Sequence, residues 1–279
     1  MEPQNLVRRL FARPEAGPAI LLALLIVIFT AINPAFMSVL NISNTLAFTV
    51  ELGLIALAMT LLMTAGEFDL SVGAVFGLTP VLMWGLFNSG SMPLLASFAI
   101  AISIASLIGV VNGWFVTALK IPSFLVTLGM LLVARGTALF ITDGFPQRTW
   151  SASGEWLASL LVGDVRLGPL RLYMSLFWFV VVALVLHYVL TGTRVGNWIQ
   201  AAGGNASAAT ARGVNVARTK IGLFVLSAFL SGFAGIISSI RTSAANPNSG
   251  TGYELEVIAM VVIGGTSLLG GRGDRKSVV

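Results

Sequence analysis

Long stretches without a charged residue constrain this chain more than any other feature of its sequence. No Asp, Glu, Lys or Arg occurs between Glu15 and Glu51, or between Asp69 and Lys120. Because a membrane-spanning helix needs about 20 mostly apolar residues, the second stretch has room for two. Only 10% of the 279 residues are charged, whereas soluble domains carry about 25%. We therefore predict an all-α polytopic membrane protein.

Turn signals divide the apolar stretches into about eight membrane-spanning or re-entrant helices. Asn33-Pro34 interrupts the first stretch, and the run from Asn88 to Pro93 interrupts the second. A short surface helix is expected at Trp156 to Val162, within a polar loop. The predicted long helices cover residues 17–33, 45–65, 70–87, 93–119, 122–142, 172–190, 221–240 and 255–269. The last is short and rich in glycine, which is typical of a broken or re-entrant element.

The distribution of Lys and Arg predicts the orientation. With eight simple spans, more of these residues lie on the side of the N-terminus than on the opposite side. Because cytoplasmic loops carry the excess of Lys and Arg, we expect a cytoplasmic N-terminus and a cytoplasmic segment 191–220. This prediction fails if one of the earlier segments is re-entrant.

The composition lacks the residues that several classes of function need. The chain has no cysteine, and His187 is its one histidine, so neither a thiolate or histidine metal site nor a Ser-His-Asp triad is expected. No Gly-x-x-x-x-Gly-Lys-Ser/Thr loop occurs, so ATP-driven work would need a separate ATPase subunit. The cations are scattered at segment ends and do not form a nucleic-acid-binding face. No cofactor, metal or catalytic residue is predicted.

Two carboxylates, Glu67 and Asp69, lie between apolar helices. One interpretation is a capped turn at the membrane surface, with Asp69 or Ser71 capping the helix that follows. The alternative is a broken helix that lines the translocation path, in which the carboxylates accept hydrogen bonds from solute hydroxyls. Both interpretations stay open from the sequence.

Arg135 and Asn112 are further polar residues inside predicted spans. Since a lone guanidinium is costly in the membrane, Arg135 needs a partner, either Glu67, Asp69 or backbone carbonyls. We consider a structural ion pair and a substrate contact for Arg135. For Asn112 we consider a hydrogen bond between helices and a ligand contact.

The polar segment from residue 203 to residue 213 is predicted to hold a short helix. Its alanines favour helix, Asn205 is suited to the N-cap, and Gly213 is suited to end the helix. A short helix on a membrane face is a candidate docking element for another subunit.

Four motifs in order resemble the monosaccharide permeases of bacterial ABC importers, the ribose/xylose/galactose type. They begin at Leu57-Ala58-Met59-Thr60, at Asn112-Gly113 with Ile121-Pro122-Ser123, at Ala202-Gly203-Gly204-Asn205, and at Gly252-Tyr253-Glu254-Leu255. The resemblance implies a permease that dimerises, two cytoplasmic ATPase subunits, and a periplasmic or lipid-anchored solute-binding protein.

The same resemblance assigns roles to residues. Gly203, Gly204, Asn205, Ala208, Ala209 and Gly213 look like the loop that couples the permease to its ATPase, with Ser207 where many such loops have Glu. Apart from the resemblance, the polar residues singled out above, Glu67, Asp69, Ser71, Asn112 and Arg135, are the candidates for the substrate path. Glu67 is an extra carboxylate in a stretch where the family commonly has Gly-Gly-Ile-Asp-Leu-Ser. Related permeases carry branched-chain amino acids or nucleosides, but this motif is closer to the sugar group.

The last residues of the sequence lead to a separate prediction about the C-terminus. We expect one permease domain over residues 1–273, in a family whose full-length members have roughly ten spans. Residues 274–279, Asp-Arg-Lys-Ser-Val-Val, are what a common short-read sequencing adapter encodes in one frame. We therefore expect a C-terminally truncated permease with a non-native tail.

The sequence leaves two rival functions open. A proton-coupled secondary transporter would use Glu67 or Asp69 as its titrating group. An intramembrane enzyme is disfavoured because no nucleophile and base pair or metal set is available.

Overall fold

A computed structural model describes residues 16–90, 92–148, 155–168, 170–267 and 270–271. The tail 274–279 and the arginines before residue 16 lie outside this part of the chain. The helices are α1 (Ala16–Ile32), α2 (Val39–Thr64), α3 (Val72–Asn88), α4 (Leu94–Ala118), α5 (Ser123–Thr142), α6 (Trp156–Val162), α7 (Met174–Gly192), α8 (Arg194–Gly204), α9 (Ala206–Ala211), α10 (Val216–Thr242) and α11 (Tyr253–Ile263). Short strands are β1 (Gln147–Arg148), β2 (Asp164–Leu167), β3 (Leu170–Tyr173) and β4 (Ala244–Ala245), and Pro34–Met37 form a 3-10 turn.

The fold is that of an all-α polytopic membrane protein, as predicted. Five helices, α2, α4, α5, α7 and α10, are long and apolar enough to cross a membrane, and α1 and α3 are shorter apolar helices. Their outer faces are apolar, with Phe140 85% exposed on α5 and Leu184 63% exposed on α7. Such faces suit contact with lipid chains.

The helix bounds differ from the predicted ones in three places. α2 begins at Val39 because the Ser38 side chain accepts a hydrogen bond from the backbone N–H of Asn41 and caps the helix there. α10 extends beyond both predicted ends, to Val216 and Thr242. α11 ends at Ile263 and has 11 residues, about 16 Å, so it is too short to span.

Helix α10 lies at the centre and packs closely on α4 and α3. A Cβ atom at Gly109 of α4 would lie 2.5 Å from the carbonyl oxygen of Phe224, and one at Gly235 of α10 would lie 2.0 Å from that of Phe76. The backbones therefore touch, and only glycine fits at these two positions. Buried side chains of α2 and α3, such as Met59 and Trp84, complete the core.

The bundle has two distinct ends. At one end, which we call the junction end, the carbonyl of Thr64 accepts a hydrogen bond from Gly271 N at 3.0 Å, and Gly203 packs on the same carbonyl. At the other, the hairpin end, β1 pairs with β4 and β2 pairs with β3, all antiparallel. α2 runs from the hairpin end to the junction end, and α10 runs the opposite way.

After α10 the chain returns toward the junction end through a loop followed by a short helix, and not through one continuous helix. Beyond β4, residues 246–252 turn back into the bundle, where Gly250 lies against the backbone of Gly73 on α3. α11 then continues to the junction end, which agrees with the predicted broken or re-entrant element. We call residues 246–252 the re-entrant loop.

Candidate functional site

Residues 65–71, which we call the carboxylate turn, join α2 to α3 near the junction end. Gly66 has φ +81°, a left-handed conformation that glycine adopts without strain. The next residue, Glu67, accepts a hydrogen bond from Lys220 Nζ of α10 at 2.5 Å, and both side chains are mostly buried. The sequence pointed to Glu67 but not to its cationic partner, which lies 153 residues further along the chain.

Asp69 is the centre of a buried hydrogen-bond network. Its Oδ1 accepts from the backbone N–H of Ser71 at 2.9 Å and from the Ser71 hydroxyl at 2.6 Å. Its Oδ2 accepts from Ser227 Oγ of α10 at 2.9 Å. Asn112 of α4 donates from Nδ2 to Ser71 Oγ at 3.0 Å. Thus Asp69, Ser71 and Asn112, which the sequence identified separately, form one network that ties three helices together.

Of the two residues considered as caps for α3, Ser71 occupies the N-cap position, but its side chain makes no capping bond. Its hydroxyl oxygen accepts a hydrogen bond from Asn112 Nδ2 instead. The turn is held from α5 as well, where Ser123 Oγ and Thr127 Oγ1 accept from the backbone N–H groups of Phe68 and Leu70.

One buried polar atom of the network has no hydrogen-bond partner among the described residues. Asn112 Oδ1 is buried and accepts no hydrogen bond within the described part of the chain. Asp69, Ser71 and Asn112 are all 0% exposed. Contact of these side chains with a solute therefore requires the packing around them to open.

Arg135 binds backbone carbonyls, one of the partners considered for it. Its Nη1 donates to the carbonyls of Pro247 and Ser249, the latter at 2.8 Å, and its Nη2 donates to that of Gly73 at 3.1 Å. The alternative ion pair with Glu67 or Asp69 is not formed, because those carboxylates bond to Lys220 and Ser227 deeper toward the junction end. Arg135 thus joins α5, α3 and the re-entrant loop.

A second buried ion pair was missed by the sequence reasoning. Arg241 Nε of α10 donates to Glu51 Oε1 of α2 at 2.7 Å, and the Glu51 side chain is only 1% exposed. Glu51 had served only to mark the end of an uncharged stretch. Its position inside a 26-residue apolar helix was the signal that it needed a partner.

The segment from residue 203 to residue 213, which we call the coupling segment, has the predicted local structure. The Asn205 side chain accepts from Ala208 N at 3.0 Å and caps α9, and Gly213, with φ +85°, follows its end. Ala208 is exposed, whereas Ala209 is buried beneath it. α8, whose last two residues belong to the segment, was not predicted.

The coupling segment rests directly on the end of α2. A Cβ atom at Gly203 would lie 1.9 Å from the Thr64 carbonyl oxygen and 2.7 Å from Gly271 N. One at Gly204 would meet nothing nearer than 4.0 Å. Backbone contact at Gly203 therefore links the coupling segment to the carboxylate turn, which begins one residue after Thr64.

No group of three His, Asp or Glu side chains that could hold a metal ion occurs in the described ranges. The arrangement supplies hydrogen bonds, ion pairs and close backbone contacts.

Comparisons with known proteins agree on a transport family. Residues 41–271 match the family described as branched-chain amino acid transport system / permease component. The ribose import permease RbsC of Haemophilus influenzae is 38% identical over 260 residues, covering 93% of this chain and 79% of the relative. RbsC of Escherichia coli K12 is 36% identical over 270 residues, covering 95% and 83%. The xylose/arabinose import permease XylH of Sulfolobus acidocaldarius is 34% identical over 249 residues, covering 87% and 67%. No solved structure matches the chain significantly.

Proposed function

Since the chain belongs to the family of branched-chain amino acid transport system permease components, we propose that it is the membrane-spanning permease of an ABC importer for a pentose such as ribose. The observation that carries the substrate class is its identity of 36–38% to permeases named for ribose, over more than nine tenths of its length. The family description names branched-chain amino acids, so these are the solutes against which the proposal must be tested.

The proposal places the junction end in the cytoplasm, with the N-terminus on the same side. The exposed face of α9, including Ala208, would seat in a cytoplasmic ATPase subunit, as the resemblance to the family implies. A solute-binding protein would deliver the sugar at the hairpin end, and a second permease copy, identical or similar, would complete the pathway. The membrane is the inner membrane of the cell.

The coupling segment would transmit ATPase movement through backbone contacts. Gly203 touches Thr64, and the carboxylate turn follows Thr64 directly. Closure of two ATPase subunits would move the coupling segments, shift the turn, and change the packing of α3, α4 and α10 around Asp69. The permease would then alternate between outward-open and inward-open states.

The candidate residues for the substrate path take different roles in this proposal. Asp69, Ser71 and Asn112 would hold the resting arrangement together and exchange partners when the helices separate. Glu67 would move together with the coupling segment through its ion pair with Lys220. Arg135 would keep the re-entrant loop inside the membrane.

The test is uptake of labelled ribose, xylose, galactose and leucine by cells that carry the gene with the ATPase and binding-protein genes encoded beside it. We expect pentose uptake that stops when the ATPase is replaced by a hydrolysis-dead variant. Leucine uptake without pentose uptake would contradict the substrate class. Pentose uptake that persists with the dead ATPase would contradict the ABC mechanism.

A matched pair of variants tests the coupling segment. Ala208→Arg and Ala217→Arg each place a cation on an exposed alanine at the junction end, but only the first lies on α9. We expect Ala208→Arg to abolish uptake and Ala217→Arg to retain it. Equal uptake by the two variants would contradict docking through α9.

A further inference from the structure

The carboxyl group of Asp69 is fully enclosed by other parts of the chain. Asp69 is 0% exposed, as are Ser71, Asn112 and Ser227 around it. These neighbours belong to the carboxylate turn, α4 and α10, all within the described residues. Solvent therefore does not contact either carboxyl oxygen in the closed arrangement. A carboxylate in such a place gives up its hydration, which is costly unless a cation lies beside it.

Every hydrogen bond of Asp69 is made with an uncharged group. Oδ1 is bonded to the backbone N–H and the hydroxyl of Ser71, and Oδ2 is bonded to the hydroxyl of Ser227. The 2.9 Å between Oδ2 and Ser227 Oγ suits a hydrogen on either oxygen, because a hydroxyl both donates and accepts. The geometry thus accommodates a neutral carboxylic acid that donates from Oδ2 to Ser227 and keeps both bonds at Oδ1.

Asn112 Oδ1 shows that a hydrogen-bond donor is missing from this enclosure. It is a buried carbonyl oxygen without a partner in the described ranges, although Nδ2 of the same amide is bonded to Ser71 Oγ. An ionised Asp69 would add a full negative charge to a network that already lacks a donor. A proton on Asp69 removes that charge, and its bond to Ser227 frees the Ser227 hydroxyl hydrogen for another acceptor.

Charged side chains of α2 and α10 are engaged away from Asp69. Lys220 pairs with Glu67 and precedes Ser227 by seven residues, which is about 10 Å along α10. Arg241, at the other end of α10, pairs with Glu51 of α2. Neither cation makes an ion pair with Asp69.

The remaining elements around the turn supply no free cation either. α3 and α4 contain no charged residue. On α5, Arg135 follows Thr127, which holds the turn, by eight residues or about 12 Å, and it donates to backbone carbonyls. Lys120 and Arg218 are exposed at the junction end. Within the described residues Asp69 is therefore a buried carboxyl group without a counter-charge.

We propose that Asp69 binds a proton and is a neutral carboxylic acid while the network is closed. A neutral acid costs far less to enclose than an unpaired carboxylate. When the helices separate and water enters, the acid ionises. Closure then requires one proton, so it becomes tenfold less favourable per pH unit between the pKa of the hydrated acid and that of the enclosed one. This inference does not depend on the proposed transport function, and it does not require the proton to cross the membrane.

Infrared spectroscopy of the purified full chain tests for the bound proton. A protonated carboxyl has a carbonyl stretching band apart from that of a carboxylate, and the band shifts when deuterium replaces the proton. We expect such a band at pH 7 in the wild type and in Glu67→Gln, the matched control, and its loss in Asp69→Asn. Aspartate labelled with carbon-13 at the side-chain carboxyl should shift the band without any substitution.

Two results of this measurement would overturn the proposal. The first is the absence of a band that responds to deuterium and to labelled aspartate in the wild type at pH 7. The second is a band that Glu67→Gln removes and Asp69→Asn retains, since the proton would then be on Glu67.

The sign of the pH dependence of stability gives an independent test. The hydrated carboxyl has a pKa of about 3.9, so unfolding releases the proton from a neutral Asp69. The unfolding constant of the wild type should then rise about tenfold per pH unit, relative to that of Asp69→Asn, between about pH 5 and pH 7. Thermal melting at several pH values should show the wild-type Tm falling relative to the variant as the pH rises. A relative Tm that rises with pH, or that does not change, would contradict the bound proton.

Discussion

Adjacent glycines at the end of α8 give the sharpest test of how the coupling segment is packed. Alanine at Gly203 would place its Cβ atom 1.9 Å from the Thr64 carbonyl oxygen, where ordinary contacts begin at 3.4 Å. Both neighbours at this position are backbone, so no side chain can rotate away. The helix must retreat by about 1.5 Å, the shortfall from ordinary contact.

The expected cost of Gly203→Ala follows from two effects. Overpacking typically costs about 1–3 kcal/mol. The retreat also strains the hydrogen bond from Gly271 N to the Thr64 carbonyl, and loss of such a bond costs about 1–3 kcal/mol. We expect a total of ~2–4 kcal/mol in the free energy of unfolding. For a chain of this size that lowers Tm by roughly 6–12 °C.

Gly204→Ala is the control, because its Cβ atom would meet nothing nearer than 4.0 Å. Alanine there restricts the unfolded chain and is expected to stabilise by about 0.4–1 kcal/mol. Thermal melting of the detergent-purified protein, followed by tryptophan fluorescence, measures both variants. Indistinguishable Tm values for the two variants, or a lower Tm for Gly204→Ala, would refute the proposed contact between the coupling segment and α2.

Three further comparisons of variants test the buried charges, each by thermal melting. Arg135→Met is expected to lower the free energy of unfolding by about 3–5 kcal/mol, because three carbonyls in the membrane lose their cationic partner. Arg135→Lys should lower it by less, since lysine keeps the charge without the planar fork of donors. Equal Tm values for the two variants would contradict this. Arg241→Ala should lower the free energy of unfolding by about 3–5 kcal/mol, because it leaves the buried Glu51 carboxylate uncompensated. Glu51→Gln should lower it by less, and a larger loss for Glu51→Gln than for Arg241→Ala would refute that reasoning. A double-mutant cycle with Glu67→Gln and Lys220→Gln should give a coupling energy of roughly 0.5–3 kcal/mol, and a value of zero would show that the pair makes no net contribution.

Most of the helices were predictable because charge is excluded from the apolar spans. The surface helix was placed correctly at Trp156–Val162, and the shortness of the last helix was anticipated from its glycines. The predicted start of α2 lies six residues after the observed start at Val39, because the first turns of the helix carry polar side chains such as Ser43. That side chain is buried and accepts a hydrogen bond from Arg171 N, a contact that only the fold reveals.

The candidate site was predictable residue by residue but not as a set of contacts. The cap at Asn205 and the helix end at Gly213 depend on neighbours in sequence, so they were predicted correctly. The pair of Glu51 and Arg241 joins residues 190 positions apart, and no local pattern identifies such a partner. The carbonyl partners of Arg135 could be anticipated as a class, but their location in the re-entrant loop depends on the packing of that loop.

Energised uptake by vesicles that contain the purified permease with its ATPase tests the assignment as an ABC permease most directly. With the binding protein and labelled ribose on the opposite side, we expect ribose to accumulate when ATP is supplied to the ATPase and no accumulation when only a proton gradient is imposed. Accumulation driven by the proton gradient without ATP would contradict the assignment as an ABC permease and identify a secondary transporter.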